Sequence, residues 1–153
     1  MVRIGVTPMR ISRPLERLRR LGWRQRLLLV EATALLVAAS VAIKLLPFRR
    51  AVKLGAHDTT SMPRSGDQAA LVSEARWSVE AAARRLPWRA VCFQQGIALQ
   101  SMLRRRGVDA RLHYGVRYEA SIALEAHVWI CDGDTIVIGG EQAPKFKLLA
   151  VYP

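Results

Sequence analysis

Gly107 marks a change of hydrophobic period, and that change limits what the chain can fold into. Ahead of it, DQAALVSEARWSVEAAARRL places Leu71, Ala75, Ser78 and Ala82 on one side of a helix, with Val72, Val79 and Ala83 adjoining. Asp67 is the expected N-cap, and Pro87 closes the element. A second helix is expected from Val91 to Arg106, with Cys92, Gly96, Leu99 and Leu103 on one apolar face. Beyond Gly107, a C-cap signal, the pattern alternates. In DARLHYGVRYE, Ala110, Leu112, Tyr114 and Val116 face one way, and Arg111, His113, Gly115 and Arg117 the other, as in a half-buried strand. EAHVWICDGDTIVIGG adds two strands around an Asp132-Gly133 turn, and KFKLLAVY a short last one. Helices followed by antiparallel strands predict an α+β fold with its helices on one face of the sheet.

The N-terminal third differs in charge and hydropathy. Residues 1–53 hold twelve Lys and Arg against Glu16 and Glu31, a net +10; residues 54–153 hold twelve against ten acids, a net +2. From Leu27 to Leu46 the only charged residues are Glu31 and Lys44. That run is apolar nearly all round and ends before Pro47, because the residue ahead of a proline resists the α region. Three readings stand, in this order: a helix of the core or of a partner interface, a membrane-associated helix, and a true span. A span needs ~20 largely apolar residues and would carry Glu31 within it or at its edge. Arginines on both sides leave no orientation signal, and a signal peptide is excluded by the long basic region and the missing cleavage site.

The expected organisation is therefore a basic and apolar helical region over 1–54, a Gly/Ser/Thr/Pro-rich linker over 55–66 that contains His57, and a core over 67–153. Cys92 and Cys131, 39 positions apart, make neither a disulfide framework nor a zinc motif, and they fit a reducing, cytoplasmic setting. Neither a metal nor an organic cofactor has a visible site, and no phosphate-binding glycine loop occurs. The arginines ahead of Leu27 invite nucleic acid, but the interleaved aromatics of a base-stacking surface are missing.

Cys92 opens the second helix. There the positive end of the helix dipole and the unpaired N–H groups favour a thiolate and can receive an oxyanion. A buried apolar cysteine is the competing reading. A thiol nucleophile needs a base, and His127 in AHVWI, 35 positions on, shares one side of an apolar strand with Trp129. A structural, hydrogen-bonded histidine competes there too. Cys131 sits four residues from His127 on the same strand, ~13 Å away at the strand rise, too far to be its partner.

CFQQGIALQSMLRRRGVDARLHYGV, followed by EAHVWI and a short hairpin, resembles the lasso peptide biosynthesis B2 proteins, which are transglutaminase-like cysteine proteases. The preceding RLGWRQRLLLVEATALLVAASVAIKLLPFRR is similar to that family's helical lead-in, so the resemblance spans roughly residues 15–153. It implies a transglutaminase-like, papain-like core with the catalytic Cys at a helix N-terminus and the His on an antiparallel sheet. It implies removal of the leader from a ribosomally made precursor, with Cys92 as nucleophile and His127 moving protons. A separate leader-recognition protein and an ATP-dependent lasso cyclase are the implied partners, with membrane-surface contact through the N-terminal region as a further expectation. The family places an Asp about a dozen residues after the histidine; position 139 is glycine here, so Glu141 is the expected third member, a backbone carbonyl or a dyad being the alternatives. Trp88, Phe93 and Trp129 are the candidate substrate-groove residues, with core packing, the commoner role of aromatics at such positions, as the competing reading. A transglutaminase or amidase on the same fold, or a membrane-associated adaptor without chemistry, are the rival functions.

Overall fold

The structure, a computed structural model, describes residues 21–56, 67–119 and 122–153. The basic arm before residue 21, His57 and most of the expected linker lie outside the described residues. Among the described residues, four α-helices precede or support a sheet: α1 (Trp23–Leu45), the short α2 (Phe48–Ala51), α3 (Gln68–Ala83) and α4 (Cys92–Arg104). The strands are β1 (Ala110–Glu119), β2 (Ile122–Asp132), β3 (Thr135–Ile138) and β4 (Lys147–Tyr152). They form one antiparallel sheet in the order β3-β2-β1-β4.

The local signals act where the residues require them to. The Asp67 carboxylate accepts the Ala70 N–H at 3.1 Å, capping α3. α1 stops at Leu45, two residues before Pro47. Asp132 pairs with Thr135 across the β2–β3 turn. The transition to strands after Gly107 gives the α+β arrangement read from the period change.

The core is one body centred on α4. Every residue of α4 from Gly96 to Arg104 is buried, not the single face that its apolar spacing suggested. The reason is that α4 lies between two layers: Val128, Ile130 and Leu112 of the sheet on one side, and α1 and α3 on the other. A Cβ on Gly96 would come within 3.1 Å of the Val128 side chain, so the glycine lets helix and sheet approach closely. α1 belongs to the same cluster through Leu28, Ala32, Leu36, Ala39 and Ala42, with Ala51 and Val52 beside them. Packing therefore runs continuously across the division expected between residues 1–54 and 67–153. Burying α4 takes polar groups from water, and only some find partners among the described residues: Gln100 Nε2 donates to the Tyr152 carbonyl at 3.2 Å and Arg104 Nη1 to Asp109 at 3.0 Å, while Gln100 Oε1 and Ser101 Oγ are buried without a hydrogen bond.

Glu31, the anomalous charge of the apolar run, has a specific role. It faces Arg106, whose two terminal nitrogens reach its two carboxylate oxygens, Nη1 to Oε1 at 3.1 Å. A bidentate pair of this kind fastens α1 to the end of α4. A smaller cluster lies on the opposite face of the sheet, made by Trp129, Cys131 and Ala143 with Phe146 packed on it.

Candidate active site

Cys92 is the first residue of α4, and its surroundings are built by the two glutamines that follow. The Gln94 side chain accepts the Val91 N–H at 3.0 Å, and Gln95 Nε2 donates to the Ala90 carbonyl at 2.7 Å. These bonds fold the incoming loop back on the first turn and hold Cys92 in place. Gln at the third helical position is a capping signal, and it was the available clue to residues that the sequence reading passed over. The first intrahelical bond runs from the Gln95 N–H to the Val91 carbonyl at 3.2 Å. The N–H groups of Cys92, Phe93 and Gln94 therefore precede the ladder and have no acceptor within the helix.

Cys92 is partly buried and lines a cleft of about 620 Å³ between α3 and the β3 edge. Gln95, Val128 and the run Ile136–Gln142 form one wall; Arg76, Glu80 and Arg89 bring charge to the other. Arg76 and Glu80 pair along α3 at 2.8 Å. Glu141 lines this cleft as well.

His127 is placed differently. Along β2 the residues alternate regularly against β1, with Gly115 opposite His127, His113 opposite Trp129 and Leu112 opposite Ile130. Val128 and Ile130 therefore meet α4, while His127, Trp129 and Cys131 leave the strand on the other face. The buried imidazole lies 6.1 Å from the Trp129 ring and 5.1 Å from Phe146, and it is not among the residues lining the cleft. No hydrogen bond joins it to Cys92 among the described residues. The two sites adjoin at one residue. His127 Nε2 lies 2.9 Å from the carbonyl oxygen of Gly139, and Gly139 lines the Cys92 cleft. A carbonyl only accepts, so Nε2 carries the proton and Nδ1 keeps its lone pair.

Gly139 stands where the resemblance led us to expect an acid, and it contributes a backbone oxygen to His127. Its φ is +82°, and a Cβ there would sit 2.8 Å from the Val128 carbonyl and 3.0 Å from the Trp129 Cβ. No side chain fits, and so no carboxylate at this position can reach the ring on this backbone. Glu141, the expected third member, makes no hydrogen bond to His127; the Gly139 carbonyl occupies the one nitrogen that an acid would take.

The three aromatic candidates do not form a groove. Trp88 turns to α1, donating from Nε1 to Ser40 Oγ at 3.1 Å. Phe93 packs in a core cluster with Phe48 at 5.2 Å and Tyr114 at 6.2 Å. Trp129 is buried on the far face of the sheet. Large apolar rings near the helix start went to packing, and the cleft was left to short and charged side chains. The second thiol, Cys131, is buried, and that burial pushes its pKa up, helped by nearby Asp134 and opposed by a hydrogen bond from Trp129. No group of three or more His, Cys, Asp or Glu stands close enough to hold a metal among the described residues.

A cysteine at the start of a buried helix, packed on an antiparallel sheet whose next strand but one brings a histidine, defines a cysteine acyl-transfer class of fold. The transglutaminase-like superfamily profile matches residues 33–151, more than half of the chain, and the chain belongs to that superfamily. The match begins inside α1, in keeping with the place of that helix in the core. No curated protein and no solved structure matches the chain.

Proposed function

We propose that this chain is a cysteine peptidase that removes the leader from a ribosomally made lasso peptide precursor, with Cys92 as nucleophile and His127 as general base and acid. The observation that carries the reading is the setting of Cys92: the first residue of a buried helix, beside first-turn N–H groups with no acceptor within the helix, opening on a cleft. The B2-like run of motifs through the helix, the strand and AHVW supports the choice of substrate.

In this mechanism His127 Nδ1 takes the thiol proton and Sγ attacks the scissile carbonyl carbon. The oxyanion is received by the N–H groups of the first turn of α4. Collapse breaks the C–N bond, and the core peptide leaves as an amine with the proton that His127 returns. Water, deprotonated by the same imidazole, then hydrolyses the thioester and frees the leader acid. The Gly139 carbonyl takes the orienting task of an acid by fixing the tautomer, since orientation is the main duty of a third member. The reading requires the His127 ring to turn about Gly139, from the sheet face it shares with Trp129, toward Sγ when substrate fills the cleft. A separate leader-recognition protein and an ATP-dependent cyclase complete the pathway, in the cytoplasm.

A second reading draws on the orientation of His127. With the imidazole on the sheet face away from α4, the chain is a non-catalytic member of its superfamily, or a transferase for another acyl acceptor. Mass spectrometry of a cognate precursor incubated with its leader-binding partner separates these. Leader release by wild type, absent with Cys92→Ala, is expected; equal release by both sinks the nucleophile, and none by folded wild type favours the second reading.

A further inference from the structure

The outward side of α1 has no partner among the described residues. Trp23, Leu27, Val30, Val37, Val41 and Leu45 are all exposed, from 39 % at Val37 to 76 % at Leu45. Their steps of four, three, seven, four and four residues trace one stripe along the helix, about 33 Å long at 1.5 Å per residue. The other outward positions between Leu27 and Val41 are Thr33, Ala34 and Ala38, so this face bears no charge over that length. Charge collects at the two ends instead. Arg24, paired with Glu74 at 3.2 Å, and Arg26 stand at the start; Lys44, Arg49, Arg50 and Lys53 stand at or after the end.

We infer that the outward stripe of α1 seats the protein on an anionic lipid surface, with the helix in the interface plane, its apolar face at the acyl boundary and its terminal cations among the headgroups. Continuity is the first reason. Six large apolar side chains are exposed along one side of α1 with no charge on that side between Leu27 and Val41, and contiguous exposed apolar patches mark interaction sites. Charge is the second. Residues 1–53 carry a net +10 against +2 for residues 54–153, which matches anionic headgroups. A second copy on the same stripe would bring two such basic segments together, at a cost that lipid does not impose. Depth is the third. α1 has the length and hydropathy of a membrane span, but its inward side is committed to protein. Leu36 and Ala32 are fully buried there and Glu31 is paired with Arg106, so the helix offers lipid one side only. None of this depends on the chemistry at Cys92.

Vesicle flotation of the full chain tests the inference, with phosphatidylcholine alone compared against phosphatidylcholine containing a quarter phosphatidylglycerol. Binding should be at least tenfold tighter to the anionic vesicles and should weaken in ~1 M salt, where charges are screened within ~3 Å. Val30→Glu with Val37→Glu, both at exposed positions, should lower binding at least tenfold while circular dichroism and the melting temperature hold. Val30→Gln with Val37→Gln serves if the charged pair disturbs folding. The inference fails if folded wild type floats with neither vesicle, or if the double variant binds as well as wild type. It fails also if the stripe proves to hold a dimer that the double variant disperses.

Discussion

His127 is held by the main chain of Gly139, at 2.9 Å, and by no acid. The oxygen that holds the ring belongs to the backbone, at a position where a Cβ would press on the Val128 carbonyl and on Trp129. Gly139→Ala should therefore be worse than its size suggests. The new methyl would press on the Val128 carbonyl at 2.8 Å in a backbone conformation that side chains rarely adopt. We expect a loss of about 2 kcal/mol in urea unfolding and, in the proposed reaction, a fall of about tenfold or more in kcat. Glu141→Gln should keep kcat/KM within roughly threefold of wild type, because its carboxylate does not touch the ring. The reverse order, with Glu141→Gln crippling and Gly139→Ala mild, would return the orienting role to Glu141.

α1 is a structural member of the domain, and two adjacent residues test that. Leu36 is fully buried and Val37 faces out. Truncating a buried leucine removes its transfer free energy and leaves a cavity, so Leu36→Ala should cost about 3 kcal/mol. Val37→Ala, one position on, should stay within about 0.5 kcal/mol. Equal, small effects in denaturant titrations would mean that α1 is appended to the core and not part of it.

Much of this architecture could be read from local pattern. The loss of helical period after Gly107, the Asp67 cap and the Asp132-Gly133 turn each act over a few residues, and each appears in the structure. What could not be read is long-range. Glu31 looked like a misplaced charge because its partner, Arg106, lies 75 positions away. The helix of Cys92 looked amphipathic because nothing in its own residues tells that α1 covers the second side. Trp88, Phe93 and Trp129 looked like a groove, yet each ring was drawn to a different packing site. The partner of His127 had no signature at all, since a carbonyl is present at every residue and only the fold selects one.

His113 gives a pH dependence independent of the candidate chemistry. Its pKa is lowered from the ordinary 6.5 by burial first and by the Arg111 charge second. The unfolded chain therefore binds a proton on this ring at a pH where the native state does not. The sign follows: stability from this group is complete above about pH 6.5 and is lost as the pH falls through the lowered native value. Thermal melts of wild type should drop in midpoint between neutral and mildly acidic pH, and His113→Gln should flatten that drop. A wild-type midpoint that rises on acidification would contradict the assignment.

The two thiols should separate by reactivity, and the comparison bears directly on Cys92. Only the thiolate attacks an alkylating reagent. Cys131 is buried, with its pKa pushed up by that burial, so near neutral pH it is both covered and protonated. Cys92 is partly exposed at the head of α4, whose first-turn N–H groups have no acceptor within the helix. Iodoacetamide at neutral pH, followed by peptide mapping, should modify Cys92 at least tenfold faster than Cys131. Denaturant should abolish the difference, since it rests on the fold and not on sequence neighbours. Equal rates in the native protein would leave Cys92 without an activated setting, and the proposed nucleophile would fall with it.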